Sequence, residues 1–208
     1  MKIILLLLSI TCVSSLFGQI MNIKIGQVAP LTDYSMLSTN GENVTLRNAA
    51  KENGIIVIFS CNTCPFVVGF SDSTFRGWEN RYNSIFDFVD AKKIGVILVN
   101  SNEAKRTGDD SMEKMIEHKK NKGYKMPYVL DKNSELANAM GAKTTPHVFF
   151  FDKELKLIYT GSIDNSFEDK RKKEIPFLMD AIENHAAGKK IKLNTTSPKG
   201  CSIKRLKS

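Results

Sequence analysis

The sequence predicts an α/β domain: a central sheet of mixed direction, covered by helices on both faces. Three observations point there. Ile55-Ile56-Val57-Ile58-Phe59 and Ile94 to Val99 are short continuous apolar runs, the pattern of strands buried on both faces. Stretches with apolar residues at helical spacing alternate with these runs. Late in the chain, an apolar run, a turn and a second run precede a last helical stretch, so antiparallel strands join a sheet begun in parallel.

Residues 22–50 read as an irregular lead-in. Ile23, Ile25 and Val28 alternate, Ala29-Pro30 breaks the run, Asn40-Gly41 signals a turn, and Val44 with Leu46 suggests a short hairpin strand. Residues 55–59 form the first central strand. Cys64 to about Asp90 reads as helix through Val67, Phe70, Phe75, Trp78 and Tyr82, with Gly69 and Gly77 arguing against one unbroken piece. Ile94 to Val99 is the second strand. Ser111 caps a polar helix that runs to Lys122, with Met112, Met115 and Ile116 on one side and Gly123 closing it.

Met126 to Leu130 is a third strand, and Asn133 to Met140 a short helix closed by Gly141. His147 to Phe151, the turn Asp152-Lys153-Glu154 and Leu155 to Tyr159 make a hairpin. Glu174 to Ala187 is the last helix, with Ile175, Leu178, Met179 and Ile182 inward. Trp78 and the phenylalanines are core. There is no internal repeat and no low-complexity segment.

Residues 1–18 have the layout of a secretory signal: Lys2, an apolar block from Ile3 to Ile10, then Ser14 and Ser15. The block falls short of the about 20 apolar residues that span a bilayer, so a retained anchor is the weaker reading. Export into a bacterial periplasm is expected, without stable membrane insertion. Residues 19–187 then form one domain and residues 188–208 a basic tail. Of the net charge of +8, Lys2 supplies one and the tail seven, which leaves the body neutral. No aromatic residue interleaves the tail's lysines, so a nucleic-acid platform is not indicated. The tail is expected to be a solvated end.

Removing residues 1–18 removes Cys12 and leaves Cys61, Cys64 and Cys201. Three cysteines cannot build a disulfide framework, and a domain of this length has room for an ordinary apolar core. Cys61-Asn62-Thr63-Cys64 sits between the first central strand and the helical stretch after it. A CxxC at such a junction points to thiol–disulfide chemistry, because backbone N–H groups at a helix start favour a thiolate. Cys61 is expected there, more exposed than Cys64, with Cys64 one turn later and close enough to bond to it. A metal site is the competing reading. It needs four ligands, with the rest drawn from Cys201, His147, His118 or His185. Haem attachment is excluded, since Pro65 stands where CxxCH requires histidine.

Four stretches carry a family resemblance: Phe59-Ser60-Cys61-Asn62-Thr63-Cys64-Pro65, Thr144-Thr145-Pro146-His147, Tyr159-Thr160-Gly161-Ser162-Ile163-Asp164 and Gly200-Cys201-Ser202-Ile203-Lys204. The chain resembles thioredoxin-fold proteins, and among them the exported, redoxin-like proteins related to the alkyl-hydroperoxide-reductase and thiol-specific-antioxidant group. The resemblance implies dithiol–disulfide exchange by Cys61 and Cys64, no bound organic cofactor, and a cis peptide between Thr145 and Pro146. Pro146 would lie against the cysteine pair and leave the Thr145 backbone free to pair with a bound peptide strand. The partners implied are protein thiols and disulfides, with a second protein to recharge the pair.

The chain also departs from the family. Ser60 stands where thioredoxins usually carry Trp before the first cysteine, and residues 55–59 hold no buried acid to move protons. Asn62-Thr63 leaves the redox potential and the direction of electron flow open. No threonine stands three positions ahead of Cys61 or Cys64, where a peroxidatic cysteine usually has one, so a thiol peroxidase is the secondary reading and a metal-delivery module the third. His147 is a possible tuner of the thiolate or a packed residue. Cys201 is a third redox partner, a link between chains or an idle thiol.

Overall fold

A computed structural model describes residues 22–71, 74–168 and 170–206, so the expected signal at residues 1–18 lies outside the described residues. In chain order the elements are β1 (Met36–Ser38), β2 (Asn43–Val44), α1 (Leu46–Ala49), β3 (Ile55–Ser60), α2 (Pro65–Val68), α3 (Glu79–Asp90), β4 (Gly95–Asn100), α4 (Met112–Lys122) and β5 (Tyr128–Leu130). There follow α5 (Glu135–Met140), β6 (Thr144–Thr145), β7 (His147–Phe151), β8 (Leu157–Gly161), α6 (Phe177–Ala186) and β9 (Cys201–Ser202).

Seven strands make one mixed sheet in the order β2-β1-β5-β4-β3-β7-β8. β3 and β4 pair in parallel, and all twelve of their residues are buried. That is why both read as unbroken apolar runs. β7 lies antiparallel on the other side of β3, with His147 opposite Phe59, and β8 returns beside β7. Alternate residues of each strand serve opposite faces. Ile56, Ile58, Leu98 and Phe150 pack under Trp78 and Tyr82 of the α3 region and Leu178 and Ile182 of α6. Ile55, Val57, Val99 and Phe151 pack under Leu46 of α1 and Leu136 and Met140 of α5. The expected mixed α/β sheet with helices on both faces is the fold observed.

Four local expectations change. The stretch from Cys64 to Asp90 is two helices. Gly77 adopts φ 78°, and a Cβ there would lie 2.2 Å from the Val67 carbonyl oxygen, so the chain folds back on α2 before α3 begins. Leu46 starts α1 instead of extending a strand, because Thr45 and Asn48 form a reciprocal capping box. The last helix begins at Phe177, after Pro176, and leaves Ile175 exposed. Ile116 likewise faces solvent, while Met115 supplies the buried contact of α4.

The tail is the largest correction. Its lysines 189, 190, 192, 199 and 204 do face solvent, but its backbone is tied down. Thr160 N–H donates to the Asn194 carbonyl and Thr196 N–H to the Thr160 carbonyl, each at 3.0 Å. β9 pairs antiparallel with β6. Ile203 is buried with α5, and Arg205 donates from Nε to Asn138 and from Nη2 to the Ala142 carbonyl, both at 2.7 Å. One buried isoleucine and these hydrogen bonds turn a charged end into a docked strap.

Candidate active site

The end of β3 delivers Cys61, and the loop Asn62-Thr63 leads to Cys64, the N-cap of α2. Pro65 occupies the first helical position, where its missing N–H costs nothing. Because β7 runs antiparallel to β3, the residues just ahead of β7 fall beside that loop. The Thr145–Pro146 peptide there is cis, as expected. Thr145 Oγ1 lies 3.1 Å from the Cys61 sulfur, and the Thr145 carbonyl oxygen lies 3.1 Å from the Cys64 sulfur. Thr145 thus touches both sulfurs.

The expected order of exposure does not hold. Both thiols are buried, Cys61 at 2% exposure and Cys64 at 5%. Their proton affinities are ordered the other way from the expectation that Cys61 carries the thiolate. The Cys64 thiol is pulled down to about 5, first by a hydrogen bond from the Cys61 thiol and then by donors on Cys201, whose backbone N–H lies 3.4 Å from the sulfur. Cys61 is pushed well above the usual thiol range by that same shared hydrogen bond, by burial and by the Cys64 charge. One contact opposes this: the Thr145 carbonyl is an acceptor and suits a protonated Cys64. Several donors converge on Cys64 against that single acceptor, so Cys64 is the readier thiolate.

Cys201 stands opposite Thr145 in the β6–β9 pairing. Burial, and the hydrogen bond it makes to Cys64, push its own thiol up to about 11. The family resemblance implied a free Thr145 backbone; here it is occupied by the chain's own strap. A cavity of about 220 Å³ opens over the sulfurs, lined by Cys61, Cys64, Thr145 and Cys201, with Lys105 and Lys204 at its rim. That is smaller than usual ligand pockets, which run from about 300 Å³ upward. A larger cavity of about 570 Å³ lies away from the sulfurs, between Asn53, Asp152 and His185, and no cysteine lines it.

A buried acid does hold the site's loop, from outside the strand that precedes the cysteines. Asp110 is fully buried and accepts the Asn62 backbone N–H at 3.0 Å, Asn100 Nδ2 at 2.7 Å and Asn102 Nδ2 at 3.0 Å. Asn62 also accepts from the Tyr128 hydroxyl at 2.9 Å. The carboxylate holds the CxxC loop in place, and its charge adds to the forces holding the Cys61 proton on. Only the pair Asp109-Asp110 ahead of the Ser111 cap marks it in the sequence.

His147 is a packed residue. Its Nδ1 accepts the Lys143 N–H at 3.2 Å, so the neutral ring carries its proton on Nε2, 3.2 Å from Thr160 Oγ1. Its ring lies 4.4 Å from that of Phe149, and burial pulls its pKa down to about 3. Among the described residues no group of three His, Cys, Asp or Glu side chains is placed to hold a metal ion, so the donor geometry lends the metal reading nothing. Nor is any helix among them long and apolar enough to cross a membrane.

A family model described as Redoxin matches residues 24–173. The chain belongs to the redoxin family. A redoxin of this kind is a thiol-based redox protein. Among solved structures it is similar to an uncharacterized conserved protein from Geobacillus kaustophilus, at 26% identity and TM-score 0.79, over 89% of this chain and 94% of that one. A hypothetical protein from Sinorhizobium meliloti 1021 matches at 26% identity and TM-score 0.78, over 92% and 100%. A peroxidoxin from Mycobacterium tuberculosis shares the fold at 12% identity and TM-score 0.55, over 80% and 98%. Among curated proteins nothing matches.

Proposed function

We propose that this redoxin is an exported thiol–disulfide oxidoreductase that exchanges a Cys61–Cys64 dithiol or disulfide with cysteines of other proteins. The observation that carries the reading is the placement of the two sulfurs at one residue: Cys61 lies 3.1 Å from the Thr145 hydroxyl and Cys64 3.1 Å from the Thr145 carbonyl, while the donors around Cys64, the Cys201 N–H at 3.4 Å among them, pull its thiol down. A thiolate is the species that attacks a disulfide. The layout of residues 1–18 supports export.

The chemistry runs in two displacements. The Cys64 thiolate attacks one sulfur of a substrate disulfide, a Cys64–substrate bond forms, and the other substrate sulfur leaves as a thiolate. Cys61 then gives up its proton and attacks Cys64, the Cys61–Cys64 bond forms, and the substrate's second sulfur leaves. Two electrons and the single Cys61 proton pass from protein to substrate, and the first substrate thiolate takes its proton from solvent. Run backwards, the same steps oxidise a dithiol, and a separate redox protein restores the starting state. The Thr145 hydroxyl, 3.1 Å from Cys61, and the Asp110-held loop keep the two sulfurs in register.

The test removes one thiol at a time. Cys64→Ala should abolish reduction of insulin disulfides, whereas a chain carrying both Cys61→Ala and Cys201→Ala should hold substrate as a stable mixed disulfide at Cys64. Rapid thiol-dependent consumption of peroxide, with no insulin reduction by the wild type, would replace this reading with a peroxidase.

A further inference from the structure

Cys64 has a second sulfur beside it. The Cys201 backbone N–H lies 3.4 Å from the Cys64 sulfur, and the Cys201 thiol is hydrogen-bonded to that sulfur as the Cys61 thiol is. The placement is built rather than incidental. Cys201 pairs with Thr145 in an antiparallel register, and a Cβ on Gly200 would lie 2.2 Å from the Thr145 carbonyl oxygen, so only glycine lets the strap approach this closely. Three further ties fix the strand beyond it. Ile203 N–H donates to the Lys143 carbonyl at 3.1 Å, Lys204 N–H donates to Asn102 Oδ1 at 2.8 Å, and the Ala104 N–H donates back to the Lys204 carbonyl at 2.8 Å. A solvated thiol, or one presented to a second chain, needs none of this.

We propose that Cys201 is a third exchanging thiol, which bonds to Cys64 in alternation with Cys61. The inference rests on the reading that Cys61 and Cys64 exchange disulfides. The step needs no outside reactant. Starting from the Cys61–Cys64 disulfide, the Cys201 sulfur attacks Cys64, the Cys64–Cys201 bond forms, the Cys61–Cys64 bond breaks, and Cys61 leaves with the proton that Cys201 gives up. The oxidation state of the protein is unchanged. Starting instead from a Cys64–substrate mixed disulfide, attack by Cys201 releases the substrate as attack by Cys61 would. Because Cys64 is shared, only one of the two internal disulfides exists at a time. The Cys64–Cys201 form also pins the strap along the Thr145 backbone, which closes that edge to an extended polypeptide until the bond moves back.

Equilibrate the wild type, Cys61→Ser and Cys201→Ser with a series of reduced and oxidised glutathione mixtures, block free thiols, digest, and map the disulfides by mass spectrometry. Cys61→Ser should form an intramolecular Cys64–Cys201 bond in a monomer, and at least about a tenth of the oxidised wild type should carry that bond. Cys61→Ser that yields only glutathione adducts or dimers overturns the proposal. If that variant does not fold, wild type oxidised solely as Cys61–Cys64 overturns it. Failure of the functional reading looks different: Cys201→Ser would then form no Cys61–Cys64 bond at any mixture.

Discussion

The backbone N–H of Cys201 points at the sulfur of Cys64 from 3.4 Å, across 137 residues of chain. That relationship makes Cys64 the centre of the site. It also places the C-terminal strand against the candidate site.

The pH dependence of alkylation follows from the donors around Cys64. Its thiol is pulled down to about 5, so its thiolate fraction should rise through pH 5 and stay level above pH 7, while Cys61, held well above the usual range, should react only in strong base. Iodoacetamide rates from pH 4 to 10, with each site read by peptide mass, check this. A Cys61 profile rising through pH 5, with Cys64 silent until alkaline pH, would reverse the roles assigned to the two sulfurs.

Gly200→Val should unseat the strap. Overpacking typically costs about 1–3 kcal/mol, and 1.4 kcal/mol is tenfold in an equilibrium. The side chain would meet the Thr145 carbonyl, so alkylation of Cys64 at neutral pH should speed about tenfold or more. Far-UV circular dichroism should be unchanged, because the seven-stranded sheet does not include β9. An unchanged alkylation rate would mean that the strap does not cover the sulfur.

Asp110→Ala leaves the Asn62 N–H and the Asn100 and Asn102 amides without their acceptor. Unpaired buried donors cost about 1–3 kcal/mol each, so urea denaturation should show a loss of about 3 kcal/mol or more. Asp110→Asn keeps an acceptor and should lose less. By removing the charge it should also lower the Cys61 pKa, which the same alkylation series would detect.

His147 should make the protein acid-sensitive. Its folded pKa, about 3, lies below the unfolded value of about 6.5, so the unfolded chain binds the extra proton. Stability contributed by the neutral ring is complete above pH 6.5 and is lost as pH falls toward 3. Between pH 7 and pH 4.5 the loss should be about 2–3 kcal/mol, and His147→Gln should remove that part of the pH dependence in urea titrations at the two pH values. Equal slopes for wild type and variant would contradict the burial argument.

The sheet was legible in the sequence because β3 and β4 are buried on both faces, and burial on both faces writes itself as unbroken apolar runs. The ends of α4 were legible because Ser111 and Gly123 act through bonds local to them. Gly69 and Gly77 announced the break after α2. The strap was not legible. Among its lysines a single Ile203 carries the packing, and the pairing of Cys201 with Thr145 joins residues far apart in the chain. Asp110 was missed for the same kind of reason: an acid just ahead of a helix cap reads as a surface residue until the three donors that bury it are in place. Within the site, the order of exposure of the two cysteines is not legible in the sequence. Helix-start logic places the thiolate on the first, whereas here the short α2 begins only after the second.

The central claim is that Cys61 and Cys64 exchange electrons reversibly with other thiols. A redox titration of the purified protein in glutathione or dithiothreitol buffers, read by the loss of alkylatable thiols, tests it most directly. A reversible two-electron transition involving Cys64, at a potential within the span of roughly −270 to −120 mV known for such proteins, is the predicted result. Thiols that stay reduced, or stay oxidised, across the whole series would contradict it.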